Sequence, residues 1–195
     1  MSENIYRKFT AAGLSHIGAC AMLGNFEAES ALRPNNLQNS FEQSGISDEV
    51  YTLAVDNGLY KNFANDQAGY GYAQWTHPDR KKQLLAFVQQ RGVSIGDGDA
   101  QIDFAIEELK SGYTELYSYL CSTGDLAEAT ARVCKEYERP AVNNISVRLA
   151  YAEKWEKYFT LNGMAAQQAE PQPQTPDKLA QILTKLDEII ALLKE

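Results

Sequence analysis

The chain has 195 residues, 44% of them hydrophobic, which suffices for one sizeable core but not for two ordinary domains with their linkers. Its 26 acidic residues outnumber 18 basic ones, for a formal net charge of -8. Phosphate backbones are bound by clustered basic side chains, so this charge argues against a nucleic-acid partner.

Glycine and proline residues divide the first 163 residues into helix-length segments. Ser15 and Ser47 are suited to cap helices, and Pro78 is suited to open one. The pattern predicts helices over residues 3–12, 15–31, 47–58, 78–92, 99–112, 113–122, 125–138 and about 143–162. Residues 59–75 contain Tyr, Phe and Gly and allow a short hairpin. The predicted fold is therefore mainly α, with at most a short β-hairpin.

The composition changes abruptly after Gly163. Residues 164–177 are rich in Pro, Gln and Ala and are predicted to form an extended linker. Residues 178–195 then space five apolar side chains alternately three and four positions apart: Leu179, Ile182, Leu186, Ile189 and Leu193. This heptad pattern predicts an amphipathic, coiled-coil-like helix that makes the protein a homo-oligomer, with packing of the helix onto its own domain as the alternative. The predicted regions are 1–163, 164–177 and 178–195.

Cysteine and histidine usage gives little sign of a metal site or of disulfides. Cys20, Cys121 and Cys134 make an odd count without CxxC spacing, and His16 and His77 lack the spacing of a zinc motif. Free thiols, no metal and no cofactor are predicted. The N-terminus has neither the pattern of a signal peptide nor a membrane span, which predicts synthesis in a cytoplasm without a cleaved leader.

Two carboxylates stand close together in the segment GNFEAESALRP, residues 24–34. Glu27 and Glu29 are two positions apart, which is about 200° around a helix, so they point to different sides of it. Negative charge near a helix C-terminus is mildly unfavourable, which hints at a function for one of them. Periodicity alone does not say which.

A second candidate segment is GYGYAQWTHPDRKKQLL, residues 69–85. Its Tyr70, Tyr72, Gln74 and Trp75 combine flat aromatic faces with an amide, which suits stacking on sugar rings and hydrogen bonding to them. The alternative is a hairpin that packs these aromatic rings into the core.

Taken together, the motifs resemble the phage tail-type lysozyme family, found in tail proteins and prophage endolysins. The family lies in the lysozyme-like superfamily, with goose-type lysozymes and soluble lytic transglycosylases. The matching motifs span roughly residues 10–160 in order: GNFEAESALRP (24–34), YTLAVDNGLYKNF (51–63), GYGYAQWTHPDRKKQLL (69–85), QIDFAIEEL (101–109) and YERPA (137–141).

This resemblance implies a lysozyme-like helical domain that cleaves the glycan strands of bacterial peptidoglycan. It implies that the catalytic acid is Glu29, not Glu27. It adds Asn25 and Tyr137, which belong to the matching motifs, to the predicted substrate-binding residues. The candidate for a second carboxylate is Asp66, because goose-type lysozymes carry an Asp ahead of their Gly-rich segment.

Glu138 is a further acidic residue of the matching motifs. It either faces the cleft or forms a structural ion pair with Arg139 or Arg148, and the ion pair is the favoured interpretation.

A general acid must hold a proton near neutral pH. A Glu with an ordinary pKa of about 4.3 is protonated in only about 0.2% of molecules at pH 7, so its surroundings have to raise the pKa.

If no second carboxylate is positioned, the substrate's own hydroxyl attacks and gives an anhydro product, as in lytic transglycosylases. The alternative to an enzyme is a non-catalytic module that binds the cell wall or serves as a scaffold. The resemblance implies an endolysin made in the host cytoplasm and acting on the cell wall.

Overall fold

The computed structural model describes residues 1–42 and 45–165. In chain order the α-helices are α1 (Ser2–Ala11), α2 (His16–Ser30), α3 (Asn39–Glu42), α4 (Asp48–Asp56), α5 (Pro78–Arg91), α6 (Gly98–Gly112), α7 (Thr114–Ser122), α8 (Leu126–Arg132) and α9 (Ile145–Leu161). A π-helical turn, Val133–Glu138, continues α8. The predicted mainly helical fold is confirmed for these residues. The predicted linker beyond residue 165 and the predicted helix over 178–195 lie outside them.

Helix starts follow the capping signals of the sequence. The Ser15 side chain accepts a hydrogen bond from the Gly18 amide at 2.9 Å, and Ser47 caps α4 in the same way. Helix α6 begins slightly earlier than predicted, because Asp97 and not Asp99 accepts from the Ala100 amide.

The predicted hairpin is reduced to isolated pairs of residues. Tyr70 forms one antiparallel bridge with Leu37 and another with Trp75, and no strand occurs among the described residues. The backbone turns too tightly for a longer ladder, since φ is +77° at Gly71 and +45° at Gln74. This compact turn lies beside the end of α2.

Helix α2 runs through the centre of the described domain and packs against α1, α7, α8 and α9. Its residues Ala19 to Leu23 are fully buried. At Gly24, an added Cβ would lie 2.7 Å from the backbone oxygen of Arg148 on α9, so only glycine allows this close approach. The close approach places Arg148 beside the last turn of α2.

The three cysteines are free thiols, as predicted, and Cys20 and Cys134 are buried. Among the described helices, none is both long enough and apolar enough to span a bilayer.

Candidate active site

An open cavity of about 900 Å³ lies where the end of α2, the Gly71 turn, the start of α5 and the π-helical turn meet. Its lining combines acidic, basic and amide side chains. The lining side chains include Glu29, Gln38, Gln74, His77, Arg80, Tyr113, Glu138 and Arg139. A cleft of this size with several polar side chains in its lining is a candidate ligand site.

Glu29 reaches this cavity from the last turn of α2. Its Oε1 atom accepts a hydrogen bond from Nη2 of Arg148 at 2.5 Å, and 16% of its side chain remains exposed. Arg148 is itself buried, and its Nη1 donates to the Asn25 side chain at 3.1 Å. A charge-assisted hydrogen bond of this kind holds the carboxylate in one orientation.

The residues next to Glu29 in its motif have structural roles. Ser30 donates to the backbone oxygens of Phe26 and Tyr72, both at 3.0 Å, and so joins the end of α2 to the Gly71 turn. Asn25, predicted to bind substrate, is fully buried and donates to backbone oxygens of α2 and α8. It supports Arg148 and does not line the cavity.

Glu27 points away from the cavity, as the helical spacing predicts. Its carboxylate pairs with Lys154 at 2.5 Å and accepts from the Trp155 indole at 2.7 Å. These contacts join α2 to α9 on a different side of α2 from the contact between Glu29 and Arg148. Of the two carboxylates in the motif, only Glu29 lines the cavity.

Glu138 brings a second carboxyl group to the cavity. The residue is partly exposed as a whole, but both carboxyl oxygens are buried and have no hydrogen-bond partner among the described residues. The favoured interpretation, an ion pair with Arg139 or Arg148, is therefore wrong. Arg148 pairs with Glu29 instead, and Arg139 donates from Nε to the backbone oxygen of Glu136 at 2.8 Å.

The surroundings of Glu138 favour its neutral form. Burial, and then the charge of Glu29, raise the pKa of Glu138 well above its ordinary value, and the nearby Arg80 and Arg148 only partly oppose this. A carboxyl group whose neutral form is favoured by its surroundings thus lies in the same cavity as Glu29.

Asp66, the predicted second carboxylate, lies elsewhere. Its side chain is 2% exposed, accepts from Nζ of the fully buried Lys81 and from the Tyr51 hydroxyl, and does not line the cavity. Burial lowers the pKa of Lys81, and the charge of Asp66 opposes that shift. These contacts are those of a structural ion pair, and they give no support to a catalytic role.

We expect Asp66→Asn to lower the free energy of unfolding by about 3 kcal/mol, because it leaves the buried Lys81 ammonium without its counter-charge. Urea denaturation measures this change. The matched control is Asp79→Asn, whose side chain is 80% exposed, with an expected change within about 0.5 kcal/mol. Equal stabilities of the two variants would contradict the structural role.

The predicted sugar-stacking rings are in the core. Tyr70, Tyr72, Trp75 and Tyr137 are each at most 2% exposed, so their faces pack on other side chains and are not presented to a sugar. Gln74 does line the cavity, and its amide donates to the backbone oxygens of Asn36 and Gly71. The alternative interpretation, a hairpin that packs these rings into the core, is right about the burial of the rings, whereas the hairpin itself is reduced to isolated bridges.

Below the cavity, the buried rings join a network centred on Glu108. Its carboxylate accepts from Nε and Nη2 of Arg80 at 2.6 and 2.8 Å, from the Trp75 indole at 2.9 Å and from the Tyr137 hydroxyl at 2.7 Å. Arg80 also lies 4.5 Å from the centre of the Tyr137 ring. The sequence analysis did not single out Arg80 or Glu108, although both lie within the matching motifs.

Within residues 1–42 and 45–165, no three His, Cys, Asp or Glu side chains come together in a way that would hold a metal ion. The residues at the cavity are suited to proton transfer and hydrogen bonding. A mainly helical fold with a carboxylate at the end of its central helix, facing an open cleft, defines a lysozyme-like protein.

The comparison with known families agrees with this class. The family model described as phage tail lysozyme matches residues 1–159. The chain belongs to this family, and a lysozyme-like, peptidoglycan-degrading function follows in general terms.

Proposed function

We propose that the protein cleaves the glycan strands of bacterial peptidoglycan, with Glu29 as the general acid. The observation that carries this proposal is the position of Glu29 at the end of the central helix, partly exposed in the open cavity and held by Arg148. Glu27, the competing carboxylate, is tied to Lys154 outside the cavity.

In the reaction, a protonated Glu29 gives its proton to the glycosidic oxygen. The bond between that oxygen and the anomeric carbon breaks, its electron pair stays on the oxygen, and the sugar ring takes on oxocarbenium character. Water or a hydroxyl of the substrate then bonds to the anomeric carbon and loses a proton. Attack by water is hydrolysis, and attack by the substrate's own hydroxyl gives an anhydro product.

Arg148 and Gln74 are suited to support this chemistry. The Glu29 carboxylate is oriented by Arg148, which is in turn held by the buried Asn25. Gln74 sits at the rim of the cavity with its amide nitrogen fixed to the backbone oxygens of Asn36 and Gly71, so its position is set before substrate arrives. Such preorganisation favours the transition state over the ground state.

Digestion of purified peptidoglycan followed by mass spectrometry tests the proposal. New reducing ends indicate a muramidase, and anhydro ends, lighter by one water, indicate the transglycosylase alternative. Protein that sediments with the walls but releases no fragments would contradict the enzyme and favour a wall-binding or scaffold module.

We further propose that the protein acts as an endolysin on the host cell wall and that residues 178–195 assemble it into a homo-oligomer. This second part is supported by the heptad spacing of the sequence alone. Several catalytic domains on one bundle would gain avidity for an immobile, repetitive wall.

A further inference from the structure

The carboxyl group of Glu138 has no structural explanation. Both its oxygens are buried without a hydrogen-bond partner among the described residues, in the cavity that Glu29 also lines. Burial of a polar group without a partner costs stability, and such groups in native proteins call for a reason such as catalysis. A merely structural acid would have been paired, as Glu108 is with Arg80.

The backbone around Glu138 departs from a regular helix. It is the last residue of the π-helical turn Val133–Glu138, and Arg139 follows in the left-handed region with φ of +52°. A π-helical turn inserts a residue and changes the direction of the side chains after it, and such turns are frequent at functional sites. The left-handed conformation of a non-glycine residue adds a local cost. Together they direct Glu138 to the cavity.

We propose that Glu138 is the proton-holding partner of Glu29: the two carboxyl groups line one cavity without a hydrogen bond between them, the pair holds one proton because their charges are coupled, and that proton passes through the cavity to Glu29, which delivers it to the glycosidic oxygen. The inference rests on the proposed function of Glu29. Because 16% of the Glu29 side chain is exposed while the oxygens of Glu138 are covered, Glu29 contacts the sugar. Glu138 acts through Glu29 and is a positioning residue.

The charges that face Glu138 come from several elements. Glu29 on α2 and Glu108 on α6 disfavour its ionised form, whereas Arg80 on α5 and Arg148 on α9 favour it. Burial has the largest effect and raises the pKa of Glu138. The thiol of Cys134, one turn earlier, stays neutral because burial raises its pKa as well. In the proposed resting state Glu138 holds the proton and Glu29 is held by Arg148.

The pair of Glu29 and Glu138 regains its proton after each cleavage. Transfer to the glycosidic oxygen leaves Glu29 and Glu138 both ionised, which is unfavourable because the two charges repel each other and the Glu138 oxygens are buried. The attacking oxygen, from water or from the substrate's hydroxyl, must lose a proton as it bonds to the anomeric carbon. The pair takes up that proton and is restored to its initial state.

The first test is the dependence of glycan cleavage on pH in Glu138→Gln. We expect at least a tenfold loss of kcat and a shift of the alkaline limb to lower pH, because Glu29 alone no longer shares the proton. Glu138→Asp retains a titratable group and should keep an alkaline limb. The matched control is Glu136→Gln, which should leave the profile unchanged, because Glu136 lies on the same π-helical turn but pairs with Arg132 at the end of α8.

The second test detects the proton directly. Infrared spectroscopy at neutral pH should show the carbonyl band of a buried carboxylic acid in the wild-type protein and in Glu136→Gln, but not in Glu138→Gln. In Glu29→Gln the band should titrate at lower pH, because the charge that raises the pKa of Glu138 is gone. A band that titrates at the same pH in Glu29→Gln would overturn the coupling.

The third test is thermal stability, which Glu138→Gln should raise at neutral pH although it lowers activity. Because the pKa of Glu138 is raised in the folded state, the folded protein binds this proton more tightly, and the contribution of Glu138 to wild-type stability falls as pH rises above the unfolded pKa. Gln does not ionise. The Tm of Glu138→Gln should therefore match the wild type near pH 4 and exceed it increasingly toward pH 7. A lower Tm at neutral pH would indicate a structural acid and overturn the inference.

These outcomes separate the two proposals. Full activity with an unchanged pH profile in Glu138→Gln, while Glu29→Gln is inactive, would overturn the role of Glu138 and leave the proposed function intact. A wild-type protein that releases no glycan fragments would overturn the proposed function, whatever the infrared band shows.

Discussion

Glu29→Gln is expected to lower the release of glycan fragments about a thousand-fold, within the range that general acid catalysis contributes. The amide keeps the shape of the side chain and retains an oxygen that accepts from Arg148, but it cannot give up a proton to the leaving oxygen. Purified walls and mass spectrometry of the products measure the loss. Near-ultraviolet circular dichroism and Tm verify that the variant is folded at the assay temperature.

The matched control is Glu27→Gln, the same change two residues earlier on the same helix. Glu27 pairs with Lys154, which is about half exposed, and lies outside the cavity. Because the Lys154 partner is about half exposed to solvent, the pair contributes roughly 1 kcal/mol or less, so this variant should stay folded and keep most of its activity. Comparable losses in both variants would mean that α2 is disturbed, and a greater loss in Glu27→Gln would show that the wrong carboxylate has been assigned.

Local rules were sufficient for most helix boundaries and for separating the two carboxylates. Capping by Ser15 and Ser47 depends on residues within one turn, so the sequence alone predicts where α2 and α4 begin. The opposite directions of Glu27 and Glu29 follow from the angle between residues on any α-helix. Neither conclusion needed knowledge of what packs against the helix.

Burial of the aromatic segment was not predictable in the same way. Tyr and Trp carry a flat apolar face and a polar tip, and this combination serves both a sugar site and a core with internal hydrogen bonds. The Trp75 indole and the Tyr137 hydroxyl find Glu108 from segments far apart in sequence. Which use applies depends on tertiary contacts, and the sequence pattern left both open.

The identity of the second carboxyl group in the cavity was also not predictable from the sequence. Asp66 lies close in sequence to the Gly71 turn, but the partner that buries it, Lys81, comes from α5. Glu138 reaches the cavity through a π-helical turn, and the sequence signals of helix formation do not distinguish such a turn from an α-helix. The sequence places Arg139 next to Glu138 and Arg148 ten residues later, which favoured an ion pair, although in the structure both arginines find other partners.

The network below the cavity leads to the largest expected effect on stability. Glu108 is 7% exposed and is surrounded by donors: two nitrogens of Arg80, the Trp75 indole and the Tyr137 hydroxyl. In Glu108→Gln the side-chain NH₂ group faces one or more of these donors, and the Arg80 guanidinium loses its counter-charge. Breaking a buried ion pair in this way costs about 3–5 kcal/mol, which lowers Tm by roughly 6–20 °C for a protein of this size.

The neighbouring Glu107 provides the control for this prediction, because it is exposed on the same helix and Glu107→Gln should change the free energy of unfolding by less than about 0.5 kcal/mol. A double-mutant cycle with Arg80→Ala should show strong non-additivity, since either change alone already breaks the pair. Activity should fall together with stability, because Arg80 lines the cavity and donates to the Tyr137 backbone oxygen at 3.2 Å. Additive effects in urea denaturation would show that the cavity floor does not depend on the Arg80 to Glu108 pair.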